Sequence, residues 1–175
     1  MELRTAERSD IPELGELIEL SGRSLSIGYY SLEQAEAITR HVFGVDTQLI
    51  DDRTYFVIED GRKIVACGGW SKRRTLFGGD QTKTGADPLL DPATEQARIR
   101  AFFVHPAMAR RGLGGRLMAA CIAASKQSGF SSLELVATLP GEPLYLASGF
   151  VVLERFDLDL PGGIRVPVSR MRMAI

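Results

Sequence analysis

The chain has 175 residues and a mass of 19.1 kDa, the length of about one domain. With 45% hydrophobic and 25% charged residues it has the composition of a soluble globular protein. Its 21 basic and 22 acidic side chains leave a net charge of −1, which argues against nucleic acid or an anionic membrane as a partner. Only two cysteines are present, Cys67 and Cys121, so a disulfide framework and a four-ligand zinc site are excluded and no metal is expected. No apolar run approaches the roughly 18 residues of a membrane span. Glu2, Arg4, Glu7, Arg8 and Asp10 exclude a secretory signal at the start. The expectation is one domain over residues 1–175 in a reducing, cytoplasmic setting.

In chain order, a short strand over about Glu2 to Arg4 leads to a helix in which Ser9 or Asp10 can satisfy the first-turn amides. Ile11, Leu14, Leu17 and Ile18 form its apolar face, and Ser21-Gly22 reads as its end. A second helix opens at Ser31, with Gln34 three residues on as in a capping box. Leu32, Ala35, Ile38 and Val42 are its apolar face. Tyr55 to Ile58 and Ile64 to Cys67 flank Asp60-Gly61 as a β-hairpin. The polar stretch from Phe77 to about Gln96 is too long for an ordinary turn and reads as a mobile insertion or functional loop. Arg98 to Val104 alternates as a strand, and a Gly-rich turn leads to a helix with Leu113, Leu117, Cys121 and Ala124 in register. A strand over Leu133 to Ala137, a short helix over Leu144 to Ser148 and a strand over Phe150 to Leu158 follow. Pro161-Gly162-Gly163 turns into a last strand from about Ile164. This order describes a mixed α/β layer around one sheet.

Chemistry concentrates between Val104 and Leu117, where a strand ends at Val104-His105-Pro106 and a Gly-rich loop feeds a helix. Helix N-termini present unpaired N–H groups and a partial positive charge, which suits an anion. Gly112, Gly114 and Gly115 leave room for backbone to approach a phosphate, while Arg110, Arg111 and Arg116 can fork onto its oxygens. A pyrophosphate ligand is the physical expectation. A Walker A loop is excluded because Arg116-Leu117 stands where Lys and Ser/Thr are needed. A dinucleotide G-x-G-x-x-G is excluded because residue 117 is Leu.

The run Val104-His105-Pro106 and the loop Ala109-Arg110-Arg111-Gly112-Leu113-Gly114 resemble the GNAT superfamily of acyl-CoA-dependent N-acetyltransferases. There the loop usually reads Gln or Arg, two residues, Gly, one residue, then Gly or Ala. Here Ala109 departs at the first position, which removes a side-chain contact and leaves the backbone cradle. About thirty residues on, Leu144-Tyr145-Leu146-Ala147-Ser148-Gly149-Phe150 looks like the family's tyrosine-then-Gly-Phe signature. Tyr30-Ser31-Leu32-Glu33-Gln34 is similar to second-helix openings of bacterial members. The resemblance implies the acyl-CoA N-acyltransferase fold, a mixed and mostly antiparallel central sheet flanked by helices. It further implies acetyl-CoA as cosubstrate, held by Phe103 and Val104 on a splayed fourth strand and by residues 109–116: Ala109, Arg110, Arg111, Gly112, Leu113, Gly114, Gly115 and Arg116. Its partner would be a primary amine of a small metabolite or peptide, and a homodimer is compatible with it.

Acetyl transfer by direct attack needs a neutral amine, a stabilised oxyanion and a proton for the leaving thiolate. Tyr145 stands where the resemblance places the acid, and a tyrosine at about 10 stays protonated beside a thiol near 8.5. The Val104 amide is the oxyanion donor that the resemblance implies. No carboxylate lies on Arg98 to Val104, so the base is open among Glu95, Glu134, Glu142 and a water chain to bulk solvent. His41 and His105 read as packing or turn residues, and Cys67 and Cys121 as core. Lys72, Arg73 and Arg74 form a basic strand end that could meet an acidic acceptor. Without a base, a non-catalytic acyl-CoA-binding or regulatory domain is the alternative.

Overall fold

In the computed structural model, which describes residues 1–175, β1 (Glu2–Thr5) lies antiparallel to β2 (Tyr55–Asp60), and α1 (Ile11–Leu25) covers the sheet beside them. Leu14, Leu17 and Ile18 are buried on α1 as its periodicity predicts. Ser21-Gly22, a helix stop by composition, instead lies inside α1. Both residues are buried, and a methyl group on Gly22 would stand 2.6 Å from the Phe43 ring, so their smallness serves close approach. In α2 (Leu32–His41) the capping box forms: Gln34 N–H donates to Ser31 Oγ, and Ser31 N–H donates to Gln34 Oε1. Its buried face holds Ala35 and Ile38, but Leu32, in the first turn, is 87% exposed and does not join the core. The five-residue α3 (Thr47–Asp51), capped by Asp46, is too short to show a periodicity and is not legible in the sequence.

The hairpin of β2 and β3 (Lys63–Ser71) turns at Gly61, whose φ of +66° suits glycine. β4 (Ala97–Val104), α4 (Leu113–Gln127), β5 (Ser132–Thr138), α5 (Glu142–Ser148), β6 (Val151–Leu160) and β7 (Ile164–Ala174) complete the chain. The seven strands form one sheet in the order β1-β2-β3-β4-β5-β7-β6. Every neighbouring pair is antiparallel except β4 with β5. Trp70, Ile99, Leu133, Leu135 and Met171 pack with Met118 and Cys121 of α4 on one face. Leu14, Leu17 and Ile18 of α1 pack with Tyr55, Val57 and Cys67 on the other. No helix is long and apolar enough to cross a membrane.

The polar stretch after β3 is held at several points. Leu90 is buried and its N–H donates to the Lys72 carbonyl at 2.8 Å. Arg73 forks onto Asp52 at 2.6 and 2.9 Å, and the Thr75 amide donates to Asp87. Arg73 is therefore committed to the fold rather than offered to an acidic acceptor.

Candidate active site

The site starts from an irregularity in β4. Register against β3 runs Gly69 to Arg100 and then Cys67 to Phe103, so Ala101 and Phe102 fit opposite Gly68 alone. Such a bulge bends the strand and re-aims its side chains. Ala101 takes φ +53°, and the Phe102 ring lies over Gly68, where a methyl group would stand 2.6 Å from it. Beyond the bulge Phe102 faces the α4 side and Phe103 the α1 side. β4 pairs with β5 only through Ala97 with Leu133 and Arg98 with Glu134. After those two pairs the strands part and the sheet opens.

At the opening the chain turns sharply. His105 N–H donates to the Val65 carbonyl, and its Nδ1 accepts from Ala107 N–H at 3.2 Å, so His105 shapes the turn. Arg110 and Gly112 take φ of +63° and +81°, and α4 starts at Leu113 with no side chain capping its first amides. A methyl group on Gly112 or Gly115 would meet nothing within 4 Å. On Gly114 it would stand 2.8 Å from Leu144, so that glycine lets α5 settle against α4.

A cleft of about 580 Å³ runs from this turn into the gap between β4 and β5. Phe103, Val104, Ala109 and Arg110 line it. Gly112, Leu113, Gly114 and Gly115 do so as well, whereas Arg111 and Arg116 lie outside its lining and are exposed. Arg110 is its only charged lining residue. Tyr145, brought in by α5, closes the inner end against Phe102 and Phe150, ring centroids 6.1 and 5.9 Å away. Burial pushes its hydroxyl well above the ordinary tyrosine value, with the nearby Cys121 adding to it. The Val104 amide, which points into the gap, donates to Ser21 Oγ of α1 at 3.2 Å. Ser21, Phe43 and Thr138 also line the cleft. They come from segments far apart in the chain, and no motif marks them.

The carboxylates lie elsewhere. Glu142 is forked by Arg155 at 2.7 Å and accepts from Ser169 Oγ, and Arg155, with Ser169, holds its carboxyl below the usual range. Glu134 is ringed by Arg172, Arg170 and Arg98 at 3.0, 3.6 and 3.8 Å. Glu95 accepts from the Asp91 amide within its own loop. None of the three lines the cleft. His41 ends α2 half-buried, and burial pushes the Cys67 thiol up to about 12 and Cys121 higher still, so both thiols are inert core groups.

Through the gap a smaller pocket of about 90 Å³ lies between α2, residues 76–79 and the bulge of β4. Phe43, Phe102, Phe103, Thr138 and Tyr145 line both spaces. The two therefore meet at the tyrosine.

Solved structures share this architecture. A GCN5-related N-acetyltransferase from Rhodopseudomonas palustris aligns over 99% of this chain and 95% of its own, at 17% identity and a TM-score of 0.69. The paia N-acetyltransferase of Thermoplasma acidophilum, in complex with coenzyme A, aligns over 99% and 98%, at 14% identity and a TM-score of 0.65. The ribosomal-protein-S18-alanine N-acetyltransferase of Escherichia coli aligns over 99% and 93%, at 15% identity and a TM-score of 0.60. These identities establish the fold alone. No curated protein matches the sequence. The sequence profile of the acetyltransferase (GNAT) family matches residues 18–150, most of the chain, across the opened strand, the uncapped turn and the tyrosine helix; the chain belongs to that family.

Proposed function

We propose that the protein transfers an acetyl group from acetyl-CoA to a primary amine of a small metabolite or peptide. The observation that carries this reading is the continuous cleft from the uncapped start of α4 to Tyr145, entered between two strands that part after two residue pairs. Its outer end fits a pyrophosphate: open space at Gly112 and Gly115, bare helix amides and one arginine, Arg110. The free edge of β4 at Phe103 and Val104 offers backbone groups to an extended pantetheine arm. Acetyl-CoA supplies the reactive thioester. The Val104 amide donates to the carbonyl oxygen as negative charge develops there, displacing its bond to Ser21. Tyr145, kept protonated by its apolar surroundings, holds the proton that the departing sulfur needs.

Acetyl-CoA should raise the melting temperature, since a ligand at 100 times its dissociation constant adds about 2.7 kcal/mol. Gly112→Asp should abolish that shift by setting a carboxylate against phosphate; an unchanged acetyl-CoA affinity in this variant would show the cradle to be misplaced. Neither space has a carboxylate in its lining, which favours a second reading, a domain that binds acyl-CoA without turning it over. Amine-dependent release of free CoA thiol separates the two readings.

A further inference from the structure

Resting on the acetyl-transfer reading, we infer that the acceptor is a primary amine carried on a short aliphatic group, and that the pocket itself delivers the amine in its neutral form. The pocket beyond Tyr145 is walled by Ile38 of α2 and Val42 just past its end, Phe77 of the loop after β3, and Val136, Leu158 and Val168 of the sheet. Its one charged lining residue, Arg100, is paired with the buried carboxylate of Asp46 and engaged at both terminal nitrogens. Its guanidinium donates to Asp46 at 2.8 Å, to the Thr75 carbonyl at 3.1 Å and to the Gly78 carbonyl at 2.6 Å. The carbonyl of Ala101 at the bulge is likewise taken, by the Tyr55 hydroxyl at 2.9 Å. The side-chain hydroxyls in the lining are those of Thr138 and Tyr145, which it shares with the cleft. A sugar or the second ammonium of a polyamine carried past them would lose more water than it regains partners, a cost of roughly 1–3 kcal/mol or more per unpaired group.

Size narrows the class further. The pocket holds about 90 Å³, well below the roughly 150 Å³ of an engineered cavity that accommodates benzene. A chain or branch of about three to five carbons fits, and an aromatic ring does not. Apolar surroundings also disfavour the charged form of an amine and lower its pKa. The ammonium therefore gives up one proton to water as it enters, and no carboxylate base is required. The neutral nitrogen then bonds to the thioester carbonyl carbon and the C–S bond breaks. The sulfur takes the Tyr145 proton, and the nitrogen's surplus proton passes to the tyrosinate and restores it. The products are the acetamide, CoA thiol and one proton per ammonium consumed.

The test is acetyl-CoA-dependent release of CoA thiol with isobutylamine and isoamylamine against spermidine, glucosamine and phenethylamine. The branched aliphatic amines should lead in kcat/KM by about 10-fold or more over each of the others. Leu158→Ala, which enlarges the pocket and does not touch the cofactor cleft, should raise kcat/KM for phenethylamine relative to isobutylamine while the acetyl-CoA thermal shift is kept. Val136→Leu, which fills it, should depress the aliphatic amines and also keep that shift. Equal or faster turnover of spermidine or glucosamine by the parent would overturn this inference and leave acetyl transfer standing. No thiol release with any amine would overturn both. A specificity order that neither variant moves would remove the pocket from acceptor selection.

Discussion

Tyr145 has a hydroxyl on which no protein hydrogen bond acts, in an otherwise apolar cluster of Phe102, Phe150 and Cys121. Removing the oxygen while keeping the ring should therefore leave folding almost untouched. If the hydroxyl protonates the departing sulfur, Tyr145→Phe lowers kcat by about 10²- to 10⁴-fold with little change in acetyl-CoA affinity. A thioester with a more acidic leaving thiol should lose less, and equal losses on both donors would make Tyr145 a positioning residue instead. Ser21 is the counterpart on the other wall. Its Oγ occupies the Val104 amide at 3.2 Å, a long bond that the thioester carbonyl must replace. A neutral hydrogen bond contributes about 0.5–1.5 kcal/mol net, so Ser21→Ala should tighten acetyl-CoA about 2- to 10-fold. CoA lacking the acetyl group should show no such gain in isothermal titration.

Which elements the sequence announces follows from how local their signals are. The cap of α2, the apolar stripes of α1 and α4 and the Asp60-Gly61 turn are written in neighbouring residues and form as expected. The expected cap of α1 does not, because the Asp10 carboxylate is taken by Arg4 and the Glu7 amide. The turn before α4 and the tyrosine of α5 are contiguous motifs, legible for the same reason. The bulge in β4 is not: Arg98 to Val104 alternates well enough to pass for a regular strand, and Ala101 gives no hint of a positive φ. Its cause sits on another strand, in the absent side chain of Gly68. α5 shows a similar dependence on distant partners, because Arg155 of β6 and Ser169 of β7 hold Glu142 in its first turn. Its carboxyl is held below the ordinary glutamate value. The stabilisation is therefore complete above that value, about 4.3, and is lost as pH falls through the lowered one. Glu142→Gln should cost about 1–2 kcal/mol at neutral pH, near the lower figure because Arg155 is exposed and water screens it. Parent and variant should converge in urea melts at acidic pH; a difference that persists there would mean that the carboxylate's charge is not what holds α5.

Across the whole molecule the two spaces of the site are held by different parts of the chain, which makes them separable. The cofactor cleft rests on α1, the turn before α4 and α5, whereas the small pocket depends on where residues 76–79 lie over the sheet. That placement converges on Asp46, buried at the start of α3. Asp46 accepts from Arg100 of β4 at 2.8 Å and from Lys83 of the long loop, while Arg100 also grips the carbonyls of Thr75 and Gly78. Both Asp46 and Arg100 are 1% exposed in their side chains. Removing one partner of such a pair leaves a buried charge without compensation and typically costs about 3–5 kcal/mol. Asp46→Asn should therefore lower stability by about that amount in denaturant melts. It should also raise KM for the amine as residues 76–79 lose their anchor, with acetyl-CoA affinity close to that of the parent. Replacing both partners, Asp46→Leu with Arg100→Met, should recover most of the stability, because a buried ion pair exchanged for apolar groups of similar volume is often neutral or better. If the single and double variants lose acetyl-CoA binding along with amine binding, the two spaces are not independent, and the separate anchoring of pocket and cleft is wrong.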